Sequence, residues 1–239
     1  MTKLAWIALL LVCGGSATKA QFDLGVAVGG YGFTIRPKAH YDSYYEQAYS
    51  PGTHPLPCVS LIYAERKALK GADLTFQLDY MYKEFHAITG DGGHLSASGR
   101  DVELRLHLLY LTVAPDIYLS KRKRFALRAG VQAGFLLAGH ERGYRWSTGV
   151  FPYSSEKVQV DGPSSGVGGD LRVCFGARFM PDIKGKQRLL LDLFGNMAFM
   201  SMVRSVGGSR GWDYGVRIGY VLRCPGKPFT SLLDSVSPK

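Results

Sequence analysis

Apolar and polar residues alternate with period two in most of eight separate stretches of this chain. In the first, Phe22, Leu24, Val26 and Val28 share one face, and Asp23, Gly25, Ala27 and Gly29 the other. The third sets Leu74, Phe76, Leu78, Tyr80 and Tyr82 against Asp73, Thr75, Gln77, Asp79 and Lys83. The fourth sets Val102, Leu104, Leu106, Leu108 and Tyr110 against Asp101, Glu103, Arg105 and His107. It then turns apolar on both faces up to Leu119, with Pro115 suggesting a bulge or kink. In the fifth, Phe125, Leu127, Val131 and Phe135 alternate with Arg128, Gly130, Gln132 and Gly134. In the sixth, Leu171, Val173, Phe175 and Phe179 alternate with Asp170, Arg172, Gly176 and Arg178. The eighth pairs Trp212, Tyr214, Val216, Ile218, Tyr220 and Leu222 with Asp213, Gly215, Arg217 and Gly219. The second (about 57–66) and seventh (about 188–200) are weaker apolar runs bounded by turn residues. Successive side chains of an extended strand point to opposite faces, so this alternation predicts strands and does not fit a helix.

The connections add a second regularity. Long segments (about 35–56, 88–100, 139–168 and 202–210) alternate with short turns at 68–71, 121–124 and 181–186. Eight antiparallel strands so joined place every long loop at one end. The expected fold is all-β: an eight-stranded antiparallel up-and-down transmembrane barrel with long extracellular loops and short periplasmic turns.

Alternation alone does not say which face is inside, and a soluble lipocalin-like carrier would point its apolar face inward. Three features favour the opposite. The polar face is rich in Gly25, Ala27, Gly29, Gly130, Gly134, Gly215 and Gly219, small enough for a narrow bore. It mixes signs, so buried charges can pair; Asp73, Asp79, Glu103, Arg105, Arg128, Arg172, Arg178, Asp213 and Arg217 form the expected interior network. The apolar face is nearly free of charge over the ~9–11 residues a tilted strand needs to cross lipid. Tyr80, Tyr82, Tyr110, Trp212 and Tyr220 near segment ends are expected as interface girdles.

The first residues change the setting. Lys3, the apolar run Leu4 to Val12 and the small residues before Ala20 read as an export signal, 1–20, cleaved after Ala20. The run is too short for the ~20 residues of a spanning helix. That leaves a barrel over 21–224 and a periplasmic tail over 225–239. Three cysteines then remain, Cys58, Cys174 and Cys224, an odd number that gives no disulfide framework.

With its export signal, alternating segments and alternating loop lengths, the chain resembles the small outer-membrane β-barrel domain family, of OmpA/OmpX-type architecture, over roughly 21–224. That resemblance implies the cell outer membrane of a Gram-negative bacterium, with lipopolysaccharide and phospholipid as surroundings. The last strand departs from the pattern. It ends at Cys224 rather than on a chain-terminal aromatic, which suggests an internal assembly signal around Trp212 to Tyr220 or a periplasmic extension.

The net charge of +10 is placed unevenly: Arg66, Lys67, Lys70, Lys121 to Arg124, Lys184, Lys186 and Arg188 fall in the short turns, beside phospholipid headgroups. No nucleic-acid partner is expected of an exported barrel. Tyr41, Tyr44, Tyr45 and Tyr49 in the first long loop, and Tyr144, Trp146, Phe151 and Tyr153 in the third, are of the types that dominate binding hot spots. A non-enzymatic structural or interaction role follows, with a protein or glycan ligand at those loops. No catalytic residue, metal or cofactor is assigned. The alternative is a lipid-modifying barrel resembling the lipid A deacylases, through His94, Ser96 and Glu103. An eight-stranded bore filled by side chains leaves no general pore.

Overall fold

The structure, a computed structural model, describes residues 21–36, 48–51, 54–69, 71–92, 96–120, 122–150, 153–163, 169–198 and 210–224. The expected signal, 1–20, and tail, 225–239, lie outside them. The strands are β1 (Phe22–Arg36), β2 (Ala48–Pro51), β3 (Leu56–Leu69), β4 (Ala72–Gly92), β5 (Ser96–Tyr118), β6 (Phe125–Val150), β7 (Tyr153–Pro163), β8 (Asp170–Phe179), β9 (Asp182–Lys184), β10 (Gln187–Ala198) and β11 (Arg210–Cys224). Eight of them close a ring in the order β1-β3-β4-β5-β6-β8-β10-β11, and β11 pairs back onto β1 from Phe22↔Cys224 to Arg36↔Arg210. The fold is an eight-stranded antiparallel up-and-down barrel. Outside the ring, β2 extends the sheet beside β4, β7 beside β6, and β9 beside β10. Closure gives each ring strand a partner on both sides, which a strand in lipid requires.

The short connections share one end, here the turn end. Gly71 (φ 85°) and Gly185 (φ 58°) lie there in the left-handed region, which fits glycine at the tips of tight turns.

Alternate residues point into the bore. Asp79, Arg128, Arg178 and Arg217 are buried, whereas Val131 and Ile218 on the outer face are 55% and 57% exposed. The bore is tight: a Cβ on inward-facing Gly29 would lie 2.1 Å from the Val216 carbonyl oxygen. The outward apolar row of β11 runs from Trp212 to Leu222. At ~3.3 Å per residue and a ~40° tilt it spans about 25 Å, the height of a lipid-facing band. Aromatics gather in tiers. Phe22, Tyr63 and Phe76 form a chain of rings towards the turn end, with Phe125 stacked on Phe179 at 4.5 Å. Towards the loop end His107 contacts Tyr80 and Tyr82.

Beyond that band the pattern turns inside out. On β4 the outward Leu74, Phe76, Leu78, Tyr80 and Tyr82 give way to Glu84 and His86, and the inward face changes from charged Lys83 to Phe85 and Ala87. On β5, Leu109, Leu111, Val113 and Ile117 look out, whereas Val102, Leu104, Leu106, Leu108 and Tyr110 are buried. β4 and β5 each pass through two solvents. Beside lipid the apolar side chains turn outward; above it water is outside and they turn inward. The expected polarity of the fourth segment is therefore reversed. Glu103 and Arg105 lie on the outer face, partly exposed, and do not join the interior network. Tyr110 is fully buried and is not a girdle residue.

Two expected loops are largely strands. Most of 88–100 is the β4–β5 hairpin, and most of 139–168 is β6 running out to Val150 and β7 returning. Strands outside lipid are not limited by its thickness, so their alternation continues where a bilayer-length strand would stop. Pro115 causes no register shift: Val113↔Val131 and Asp116↔Arg128 keep one register, with the ladder interrupted where proline has no N–H to donate. The shift falls at His107/Leu108, opposite an extra Leu137 on β6. Beyond it the faces of β6 exchange, and Glu141 turns inside.

Candidate functional site

Six strands each contribute one charge to the middle of the bore. Asp79 (β4), Asp116 (β5) and Asp192 (β10) face Arg128 (β6), Arg178 (β8) and Arg217 (β11), all buried. Arg217 bonds Asp192 at 2.9 Å and lies 3.3 Å from Asp79. Arg178 donates to Asp116 at 2.8 Å and to Asp192 at 3.3 Å. Arg128 lies 3.8 Å from Asp116 and 3.7 Å from Asp192, and donates to the Gln77 side-chain oxygen at 2.7 Å. Ser60, Gln77 and Gln132 donate to Asp79, and Thr75 to Asp116. Three carboxylates against three guanidinium groups make the layer neutral, which offsets the several kcal/mol that each unpaired buried ion would cost.

A second neutral layer lies towards the loop end. Lys83 donates to Asp213 at 2.7 Å, and Arg172 bridges Asp170 at 2.6 Å and Asp213. Arg172 also lies over the Tyr110 ring, 4.6 Å from its centroid. Around and above this layer an apolar cluster including Phe33, Phe85, Leu104 and Leu106 fills the interior. Below the central layer a second cluster, with Ile62, Met180, Leu190 and Val221, fills the turn end. Charge is thus sandwiched between two apolar plugs. Its carboxylates are engaged by cations and amides, an arrangement that locks strands in register.

Of the nine residues expected in the interior, Asp73, Asp79, Arg128, Arg172, Arg178, Asp213 and Arg217 are inside, and Asp73 meets Lys123 at 3.0 Å near the turn end. Glu103 and Arg105 are outside, because water rather than lipid surrounds the wall at their height. Asp116 and Asp192 join the network without being among those nine. Asp116 sits in a run apolar on both faces, and Asp192 follows Leu189-Leu190-Leu191, which hides the period. A single Asp interrupting such a run, with arginines on neighbouring strands, is the signal that marks them.

The second candidate surface is the outer face of the β4–β5–β6–β7 sheet beyond the lipid band. Tyr144 is 42% exposed, with Lys157 Nζ 4.2 Å above its ring, and Trp146 is half-buried beside it. His140 meets Asp161 at 2.8 Å and His86 meets Asp101 at 2.6 Å. A hydrogen bond with Glu84, followed by the pairing with Arg105, holds Glu103 below the usual carboxylate range. Tyr49 lies on β2 and Tyr153 on β7. Tyr41, Tyr44, Tyr45 and Phe151 lie outside the described residues, as does His94 of the alternative enzyme reading. Ser96 opens β5, and Glu103 is already engaged by Arg105 at 2.8 Å. Cys58, Cys174 and Cys224 are free thiols.

No family model and no curated protein matches the chain. Among solved structures it is similar to Ail, the attachment invasion locus protein of Yersinia pestis, solved in complex with the heparin analogue sucrose octasulfate. That likeness has 11% identity over 84% of this chain and 99% of that one, with a TM-score of 0.40. A major outer membrane protein from Thermus thermophilus is similar at 13% identity over 87% of this chain and 100% of that one, TM-score 0.44. Neisserial surface protein A is similar at 10% identity over 87% and 98%, TM-score 0.38. By its own closed ring of eight strands, apolar outer band and salt-bridged bore, the chain has the architecture of the small OmpA/OmpX-type transmembrane barrels.

Proposed function

We propose that the chain is exported and sits in the outer membrane of a Gram-negative cell, turn end to the periplasm and loop end outside. There it acts without catalysis, as a structural and interaction protein. The observation that carries this reading is the projecting sheet. An anchor needs only strands long enough to cross lipid, yet β4 to β7 continue beyond it, and an apolar core that β4 and β5 share with β1, β3 and β10 fills the interior below the projection. That paired extension presents Tyr144 and Trp146, residue types favoured at protein and glycan contacts, on a polar outer face.

Two measurements test this. The detergent-extracted protein should migrate faster unboiled than boiled in a gel; identical migration together with recovery from periplasmic extract without detergent would sink the membrane reading. Crosslinking on intact cells should then capture a surface ligand that Tyr144→Ala with Trp146→Ala releases. Equal capture by the double variant would sink the binding role.

A further inference from the structure

The two ends of the barrel handle charge differently. At the loop end exposed polar groups face partners within the sheet: His86 meets Asp101, His140 meets Asp161, Arg105 pairs with Glu103, and exposed Arg142 lies opposite Glu103 in the β5–β6 ladder. At the turn end three acidic groups are already occupied. Asp23 holds Arg66, Asp73 holds Lys123, and Asp182 holds Arg188 and Arg223. Arg122, Lys184 and Lys186 are exposed and Arg124 is half-buried. None of these four has an acidic partner among the described residues.

They are also neighbours. Arg122 and Arg124 belong to the β5–β6 turn, Lys184 and Lys186 to the β8–β10 connection, and β6 pairs with β8. The Met180 N–H donates to the Arg124 carbonyl at 2.7 Å, tying the two turns together. Exposed Leu119, Phe125 and Ile183 adjoin the same arc. An apolar surface passing directly into uncompensated cations is the profile of a wall that leaves hydrocarbon and meets anionic headgroups.

We infer that this arc, formed by Arg122, Arg124, Lys184 and Lys186, binds the phosphate headgroups of an anionic phospholipid leaflet and selects it over zwitterionic lipid. The inference rests on the membrane reading above and adds to it a lipid preference at one end. Charge complementarity supplies the attraction, since each cation near an anionic surface is favourable while the paired ions of the loop end gain little. Continuity with Leu119 and Ile183 identifies the occupant as lipid, because a soluble polyanion would leave those side chains in water.

The test is spin-label spectroscopy of the purified protein in phosphatidylethanolamine nanodiscs, with either spin-labelled phosphatidylglycerol or spin-labelled phosphatidylcholine. The motionally restricted fraction should favour phosphatidylglycerol by about three-fold or more at low salt and lose most of that preference in 1 M salt. Arg122→Glu with Lys184→Glu and Lys186→Glu should abolish it. The milder Lys184→Gln with Lys186→Gln should reduce it, and Arg142→Gln at the loop end should leave it unchanged. Equal fractions for the two lipids in the inserted wild-type barrel overturn the inference alone, as does a preference that survives the triple variant. A protein that does not enter nanodiscs overturns the membrane reading with it.

Discussion

Asp192 and Arg217 lie directly opposite each other in the β10–β11 ladder, and their side chains meet inside the bore at 2.9 Å. On its other side Asp192 is in register with Arg178 of β8. One carboxylate therefore serves guanidinium groups on both neighbouring strands, and the ladder cannot slip without separating them. A slip by one residue would also send every charge of β10 to the lipid face.

Removing that carboxylate leaves three buried guanidinium groups, Arg128, Arg178 and Arg217, to share only Asp79 and Asp116, an excess of one charge in the interior. Asp192→Ala should destabilise the barrel by about 3–5 kcal/mol, read as a lower urea midpoint for the refolded protein. Asp161→Ala, at an exposed pair with His140, should shift the same midpoint by less than about 1 kcal/mol. Equal effects would contradict a bore network centred on Asp192.

The division between lipid and water along the wall is testable with one residue type. Val131→Arg on the lipid-facing row should cost about 2–4 kcal/mol in bilayer refolding titrations. Val158→Arg on β7 in the projecting sheet should fall within about 0.5 kcal/mol of wild type. The reverse order would place the bilayer elsewhere.

Leu106 is buried in the core above the lipid. Leu106→Ala should remove about 2–5 kcal/mol from that core. Amide hydrogen exchange should accelerate over the outer parts of β5 and β6, with residues 125–134 still protected. Uniform acceleration would show that the projecting sheet has no separate stability.

Glu103 carries a pH signature. Its folded value lies below the ordinary ~4.3 of glutamate. Its contribution is therefore complete above that ordinary value and is lost as pH falls through the depressed one. A carboxyl titration followed by NMR in micelles should show a low midpoint that rises in Arg105→Ala. A midpoint at the ordinary value in wild type would remove the interaction.

The sequence by itself determined the strand period, the ring of eight, and the outward direction of residues such as Val131 and Ile218. Those follow from local facts: side chains alternate along a strand, and lipid tolerates apolar groups only. Asp79, Arg128 and Arg178 were legible as interior residues because they interrupt clear apolar rows. Only the tertiary structure decided where each strand leaves the lipid. Leu108 and Leu109 are chemically identical neighbours, yet Leu108 packs inside against the upper core while Leu109 belongs to the outer row. Alternation reads the same whichever solvent lies outside, so Glu103 and Arg105 looked like bore residues. The height of the wall at that point, set by closure and register across the ring, turned them to water.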